Sequence, residues 1–365
     1  MKNIGILLMS DQTIPILQFV HEMDPELDGY LIVTTEQMQG KGVKDWVFKA
    51  CDISDRKIID EVVVPPHDLD AISQILESSL LPNARYHVNL TTGTKMMAIA
   101  VYDLFKRRWD SIYYVTYNRE LIKIFPSDER FKRPLKTSIK LKEYLTAYGH
   151  KPKVNSSVQM NEQLVEDFFA FFLEKGMPDC FPQFFEFRNN KKTKSVRIDS
   201  EMRDCLQKIS SFFKDVESLD RKLIKFITGD WLEHWVYKTI KAELRLSNDY
   251  IAKSVIIEKK GTSNELDVVF VFNDQFYTVE CKSSLFKYND KGNIIANTVY
   301  KSDSLQSEFG LYPRTAILTM DDLDAFSDKA KKRAKNKRIT LIGKQELRKV
   351  ASGEALLVSF LGIKL

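Results

Sequence analysis

Two short acidic strings, Asn264-Glu265-Leu266-Asp267 and Glu280-Cys281-Lys282, hold the residue types that bind divalent cations and handle phosphate esters. The stretch between them alternates in polarity and contains Asn273-Asp274, a dipeptide suited to a two-residue hairpin turn. With that turn, Phe272 faces Gln275, Asp267 lies opposite Glu280, and Glu265 lies opposite Lys282. Opposed residues share a sheet face, with Cβ atoms about 4.5–5.5 Å apart. Two carboxylates that close repel each other unless a cation sits between them. Oxygen ligands around an open position suit Mn2+ or Mg2+. Cys281 alternates to the other face and reads as a small core residue.

A helix supplies a third acid. At about 100° per residue from Trp231, the residues Val236, Tyr237, Ile240 and Leu244 span an apolar arc with Glu233 in its middle. His234, Lys238 and Lys241 fall on the opposite arc. A carboxylate centred on a buried stripe is costly unless it is paired or metal-bound. Asp230 is placed to cap this helix. Lys301 and Gln306 lie on the next helix after the hairpin as weaker additions to the same set. An ordinary amphipathic hairpin with surface charges is the plainer alternative, and the order of the acids argues against it.

Two loops near the N-terminus offer different chemistry. Ser10-Asp11-Gln12-Thr13 follows a short apolar run, and Thr91-Thr92-Gly93-Thr94-Lys95 follows another. The second has three hydroxyls, a glycine and a lysine at the start of a helix, where free N–H groups and the helix dipole favour a phosphate. The same residues also suit a plain helix cap. The loop is not a Walker A motif, because Thr94 precedes Lys95. The one GxG, at Gly40 and Gly42, lacks the third glycine of a dinucleotide fingerprint.

The elements that must carry these loops alternate. Strands are expected at 4–9, 30–34, 58–64, 86–90, 112–116 and 120–125, with helices at 14–21, 37–50, 68–80 and 95–106. That alternation predicts βαβ units and a mostly parallel, doubly wound sheet, with ligands at the carboxyl ends of the strands. Residues 126–225 are less regular, with helices expected at 140–148, 162–173 and 204–213 and a basic exposed loop at 188–197. Beyond 226, a helix to about 244 precedes strands at 254–259, 265–272 and 276–282. A helix at 299–309, a strand at 315–319, a basic helix at 321–335 and short strands at 339–342 and 356–360 complete the chain. Residues 329–338 hold seven basic side chains in ten. They could track a phosphate backbone or form a solvated helix face.

The chain has 365 residues, a net charge of +5 and 44% hydrophobic residues, which suits two or three globular domains. The charge is too mild to name a partner. The four cysteines, 51, 180, 205 and 281, form no CxxC pair, so no zinc ribbon or redox motif is readable, and the pattern fits a reducing compartment. No apolar run approaches a membrane span or a signal peptide, so a cytoplasmic protein with no membrane partner is expected. The five histidines form no metal-spaced pair and no Rx4–6H motif.

The Thr91–Lys95 turn, together with Ser10, Gln12 and Thr13, resembles the CARF family, the CRISPR-associated Rossmann fold. The likeness covers roughly residues 1–145. The family usually has a double glycine before Thr-Lys, and here the first of that pair is Thr92. The resemblance implies a homodimeric sensor of cyclic oligoadenylates, with Ser10, Gln12, Thr13, Thr91, Thr92, Gly93, Thr94 and Lys95 at the activator. Glu233, Asp267 and Glu280-x-Lys282 match the PD-(D/E)xK nuclease pattern. That match implies that the three acids hold the metal and that the lysine stabilises charge or positions the attacking water. Both halves together resemble the ancillary nucleases of type III CRISPR systems, which are switched on by cyclic tetra-adenylate.

The expectation is therefore an α/β protein with three parts: a Rossmann-like CARF domain at 1–145, a connector or N-terminal part of the nuclease at 146–225, and a restriction-endonuclease-like PD-(D/E)xK domain at 226–365. It would act as a homodimeric, Mn2+- or Mg2+-dependent endonuclease cleaving DNA and/or RNA in antiviral defence. Two rivals stand beside it. One is a ligand-independent restriction- or repair-type endonuclease. The other is a CARF-regulated nucleic-acid-binding regulator without catalysis.

Overall fold

The structure is a computed structural model that describes residues 1–154, 161–190, 192, 194–259, 261–284 and 293–365, without the side chains of 293–297, 307 and 325. The first seven strands are β1 (Lys2–Leu8), β2 (Gly29–Thr34), β3 (Ile58–Val63), β4 (Ala84–Asn89), β5 (Ser111–Val115), β6 (Glu120–Phe125) and β7 (Phe131–Pro134). They form one sheet in the order β3-β2-β1-β4-β5-β6-β7. The first five are parallel, and β6 and β7 add antiparallel at one edge. Ile6, Leu7, Leu8, Leu31, Ile32 and Val33 are all fully buried, because helices cover both sheet faces. The chain leaves β1 towards β2 on one side and later returns to β4 on the other. The gap between the carboxyl ends of β1 and β4 is therefore the topological switch point.

The expected 37–50 helix is two helices, Glu36–Lys41 and Val43–Ala50. Gly42 separates them at φ +78°, a left-handed cap that ends the first helix. The short strand β7 had no clear alternation in sequence.

The second half contains β8 (Lys151–Val154), β9 (Ser195–Arg197), β10 (Ser218–Asp220), β11 (Ile251–Lys259), β12 (Thr262–Phe272), β13 (Gln275–Lys282), β14 (Arg314–Thr319) and β15 (Ile339–Ile342). Six of these make a mixed sheet in the order β15-β14-β13-β12-β11-β8, and β9 and β10 pair separately. The helices Glu162–Lys175, Phe181–Asn189 and Ser200–Ile209 share one apolar cluster with the helix Trp231–Glu243 and with Val268, Phe270 and Val279 of the sheet. Phe168 lies at its centre, with Phe172, Phe181, Phe213, Phe226 and Trp231 all in ring contact.

Several local expectations are overturned. The ends of the basic 188–197 segment, exposed as expected over most of its described residues, belong to elements: 188–189 close the Phe181–Asn189 helix, which Phe181, Phe184 and Phe185 draw into the core, and 195–197 form β9. The 204–213 helix starts earlier, at Ser200, capped by Asp199. Asp230 does not cap. A π turn, Phe226–Asp230, leads directly into the Trp231–Glu243 helix, and Asp230 faces Arg188 at 3.6 Å instead. The 356–360 strand is a short helix, Leu357–Phe360, whose first N–H groups, Leu357 and Val358, both donate to the Glu243 carboxylate at 2.9 Å. The basic helix begins only at Asp328, capped by Ser327. Cys180 and Cys205 are joined by a disulfide, a pairing that their sequence spacing did not signal. No described helix is long and apolar enough to cross a membrane.

The two sheets meet through a common apolar layer. Leu141, Tyr144 and Leu145 of the helix Leu141–Ala147 pack with Val255, Val269, Val271 and Phe276 of the second sheet. The rings of Tyr144 and Phe276 stack with centroids 5.1 Å apart.

Candidate active site

The β12–β13 hairpin has the register that its turn dictates. Asn273 and Asp274 both take positive φ, 52° and 59°, and Phe272 pairs with Gln275. Five ladder pairs run back to Val268↔Val279, where pairing stops. Asp267 and Glu280 are thus the next residues along the two strands but are not a ladder pair. Beyond that point the Asp267 carboxylate takes over from the backbone and accepts the Cys281 N–H at 2.8 Å. Lys282 joins the two acids, with Nζ 2.7 Å from Glu280 and 3.4 Å from Asp267. Lys301, from the following helix, adds a second ammonium 3.5 Å from Glu280. Gln306 turns away and donates to the Pro313 carbonyl. Cys281 is buried in the apolar cluster, as alternation requires, and burial pushes its thiol well up.

Glu233 reaches the same end of the hairpin from the Trp231–Glu243 helix. Trp231, Leu232, Trp235, Val236 and Ile240 are the buried positions, so the apolar stripe is wider than the sequence reading and Glu233 sits at its rim. There it accepts the Ser254 hydroxyl at 3.0 Å. Ser254 was not singled out from sequence. The pairs Lys253↔Val268 and Val255↔Leu266 flank it, which places it across from Asp267, and its backbone is held at φ +50°. The neighbouring Lys253 is partly buried, which lowers its pKa against the pull of Glu233 and Asp230. A serine and a lysine inside a strand carry no distinguishing pattern. Only the cross-strand register exposes them.

The electrostatics follow from crowding acids in a covered site. Burial first, then Asp267 and Asp230, push the Glu233 carboxyl up to about 8. Burial and then Glu280 push Asp267 up to about 6. Burial works against the Lys282 ammonium, but the two acids outweigh it and its pKa rises. Among the described residues, no three His, Cys, Asp or Glu side chains converge closely enough to hold a metal ion. The Lys282 ammonium occupies the space between Asp267 and Glu280, as a stand-in cation. The donor set at Asp267 and Glu280 is all oxygen and anionic once ionised, which is the chemistry a hard divalent ion would take in place of the ammonium.

A testable consequence concerns pH. Glu233 binds its proton in the folded chain up to about pH 8 but in the unfolded chain only to its ordinary value of 4.5. Folding stability therefore falls as pH rises through that window. A cation that replaces those protons removes the penalty. Millimolar Mn2+ should raise the melting temperature more at pH about 8 than at pH about 5. Scanning calorimetry at both pH values checks this, and equal shifts would count against a metal at these acids.

The two N-terminal loops lie where the first sheet reverses, one after β1 and one after β4. Their hydroxyls are largely committed to the protein. Thr91 donates to Asn89 at 2.7 Å and accepts the Val115 N–H at 2.7 Å. Thr92 is buried and donates to the Leu8 carbonyl of β1 at 2.6 Å. Thr94 donates to the Pro66 carbonyl and caps the Lys95–Arg107 helix through the Met97 N–H. Gly93, at φ +84°, presses on Leu8, which a Cβ would meet at 3.1 Å. In the other loop, Ser10 accepts the Gln12 N–H, Gln12 is partly exposed, Thr13 is buried, and Asp11 pairs with Lys41 at 2.7 Å. Lys95 is exposed at the helix start. The threonines thus build the loop, and Lys95 and the backbone amides remain as its donors.

Comparisons with known proteins match the two halves of the chain separately. Residues 4–144 match the family described as Card1 CARF domain, and residues 220–353 match the one described as Card1-like, endonuclease domain. Among solved structures, protein VC1899 from Vibrio cholerae is 17% identical, with 98% of each chain covered and a TM-score of 0.76. Can2 from Sulfobacillus thermosulfidooxidans, in complex with cyclic tetra-adenylate, is 23% identical, with 98% of this chain and 99% of that one covered and a TM-score of 0.73. A type III CRISPR defence DNA nuclease activated by cyclic oligoadenylate is 16% identical and covers 87% of this chain and 45% of its own, with a TM-score of 0.52. At these identities the likenesses speak to fold. No curated protein matches the chain. The chain thus carries, in order, a Card1 CARF domain over residues 4–144 and a Card1-like endonuclease domain over residues 220–353.

Proposed function

We propose that this chain is a metal-dependent nuclease of type III CRISPR defence that cleaves DNA and/or RNA when a cyclic oligoadenylate, in particular cyclic tetra-adenylate, occupies its CARF half. The observation that carries the reading is the pairing of Asp267 and Glu280 through Lys282 on two adjacent strands, with Glu233 of the helix beside Asp267. Asp267, Glu280 and Glu233 are the residues that would hold Mn2+ or Mg2+. Such an ion supplies charge neutralisation at the scissile phosphate and a more acidic attacking water. Lys282, released from the acids, is within reach to stabilise charge on the phosphate or to hold that water. This acid–acid–x–lysine set is what supports the PD-(D/E)xK assignment.

The sensor domain is assigned to 1–145 and the nuclease to 226–365, with 146–225 as its N-terminal part. That last choice is supported by β8 in the nuclease sheet and by the shared cluster around Phe168. A nucleic-acid substrate is supported by the Asp328–Asn336 helix. Its exposed Lys329 and Lys332 line a cleft of about 580 Å³ with Tyr300, which stacks against Arg333 at 4.6 Å. Basic side chains beside an aromatic face suit a phosphate backbone and its bases.

The test uses purified protein with Mn2+ or Mg2+, single- and double-stranded DNA and RNA, and cyclic oligoadenylates of different ring sizes. Cleavage should need both the metal and the ring. Cleavage without a ring would favour the ligand-independent endonuclease. Ring-dependent binding with no cleavage would favour the regulator.

A further inference from the structure

The far end of the β12–β13 hairpin is buried in the CARF half. Asp274, at the turn, has a side chain only 2% exposed. Its Oδ2 accepts Gln18 Nε2 at 2.9 Å and Arg119 Nε at 2.8 Å, and its Oδ1 accepts the Ile139 N–H at 2.8 Å. The three donors come from three separate segments of the first half. Gln18 lies on the helix Ile14–Met23, which begins directly after the 10–13 loop. Arg119 sits in the turn between β5 and β6 and also binds the Thr137 carbonyl and the Ser138 hydroxyl. One turn further along Gln18's helix, the buried Glu22 accepts the Lys136 and Thr137 N–H groups and pairs with Arg133. The helix and the 133–139 segment are therefore bound together around the hairpin tip.

From Asp274 to Asp267 the strand runs seven residues, roughly 20 Å. Along that length β12 and β13 are held by five ladder pairs and packed by Val269, Val271 and Phe276. A strand pair packed this way moves as one body, because close-packed interiors do not deform continuously. At its other end stands the Asp267–Cys281 bond beside Glu280 and Lys282.

We propose that Asp274 is a positioning residue. Through it, the helix that follows the 10–13 loop sets the placement of Asp267 and Glu280, so that displacement of this helix by a ligand is passed to the acids along the hairpin. The proposal rests on the reading of these acids as the nuclease site. It differs from a merely structural contact in what it couples, namely effector binding and turnover.

Three variants test it: Gln18→Ala, Asp274→Asn, and the exchange Gln18→Glu with Asp274→Asn, which reverses the hydrogen bond between the two and leaves a carboxylate, now on the helix, to accept from Arg119. Each is measured for cyclic tetra-adenylate affinity, for turnover with and without that ring, and for hydrogen exchange at the Cys281 amide. In the two single variants, ring-stimulated turnover should fall roughly 5- to 100-fold while ring affinity and unstimulated turnover stay unchanged. The Cys281 amide should exchange faster, and the exchange pair should recover most of both effects. Full stimulation in both single variants would overturn the proposal. So would an equal loss of stimulated and unstimulated turnover that the exchange pair does not rescue. If the wild-type protein cleaves nothing, the nuclease reading fails, and Cys281 exchange still decides the lever. An amide unaffected in Asp274→Asn overturns it, and one that speeds up and is restored by the pair upholds it.

Discussion

Glu280→Ala should lower cleavage by at least about a hundredfold while leaving cyclic tetra-adenylate binding unchanged, because in the proposed site it would remove a metal ligand and several kcal/mol of transition-state stabilisation at about 1.36 kcal/mol per decade. Glu280 is buried and is the acid that Lys282 and Lys301 both approach. Its removal takes away one oxygen ligand and also frees both ammonium groups. Lys282→Ala should cost a similar factor for a different reason. Without that ammonium, Asp267 and Glu280 keep their oxygens for a metal, but the one positive charge shared by both acids is lost from the phosphate. The two variants are therefore separable by calorimetric Mn2+ titration, with affinity weakened in Glu280→Ala and kept or increased in Lys282→Ala. Turnover close to wild type in either variant, with saturating Mn2+, would remove these residues from the reaction.

The second large effect is expected at the opposite end of the chain. Lys95→Ala should weaken cyclic tetra-adenylate binding by at least about a hundredfold and abolish activation at ordinary ring concentrations. Because Thr91, Thr92 and Thr94 are spent on Val115, Leu8, Pro66 and Met97, the donors this loop would offer a phosphate are its backbone amides and Lys95. A hydrogen bond to a charged group contributes about 1.5–3 kcal/mol. In the homodimer that the CARF resemblance implies, a two-fold ring would meet the same patch twice, and the loss would count twice per ligand. Activation by about a hundredfold needs a ring that binds the active arrangement better by roughly 2.7 kcal/mol. Removing both lysines erases a difference of that size. The acids proposed to hold the metal lie in the other sheet, so Mn2+ affinity should not change. Normal ring binding by Lys95→Ala would refute this account of the activator site, as would a stoichiometry of one ring per chain.

Thr92 illustrates how much of the site can be read from residue types. The hydroxyl-rich turn is visible in the sequence, but its use is not. A threonine at a switch-point loop can donate to a ligand or to a neighbouring strand, and the position of the Leu8 carbonyl decides. The same holds for Glu233. A helical projection puts an acid among apolar residues, but which of those residues are buried depends on what the helix packs against. Here Trp231, Leu232 and Trp235 are also covered, and the acid shifts to the rim beside Ser254.

What the sequence determined by itself is local in origin. The strand–helix alternation, the two-residue turn at Asn273-Asp274 and the hairpin register that follows from it depend on backbone preferences and on a side-chain period of two. Both act over a few residues and need no partner. The order Glu233, Asp267, Glu280, Lys282 is legible for the same reason. What only the tertiary structure decided depends on groups far apart in the chain. Lys282 lodges between two acids, Glu243 caps a helix more than a hundred residues away, and Asp274 gathers donors from three segments of the other half. Cys180 finds Cys205 across the helical layer, and β8 joins the second sheet beside β11. Each of these is a buried polar, covalent or edge-strand pairing. Its partner is selected by which surfaces close upon each other when apolar faces are removed from water, and residue identity along the chain does not encode that selection.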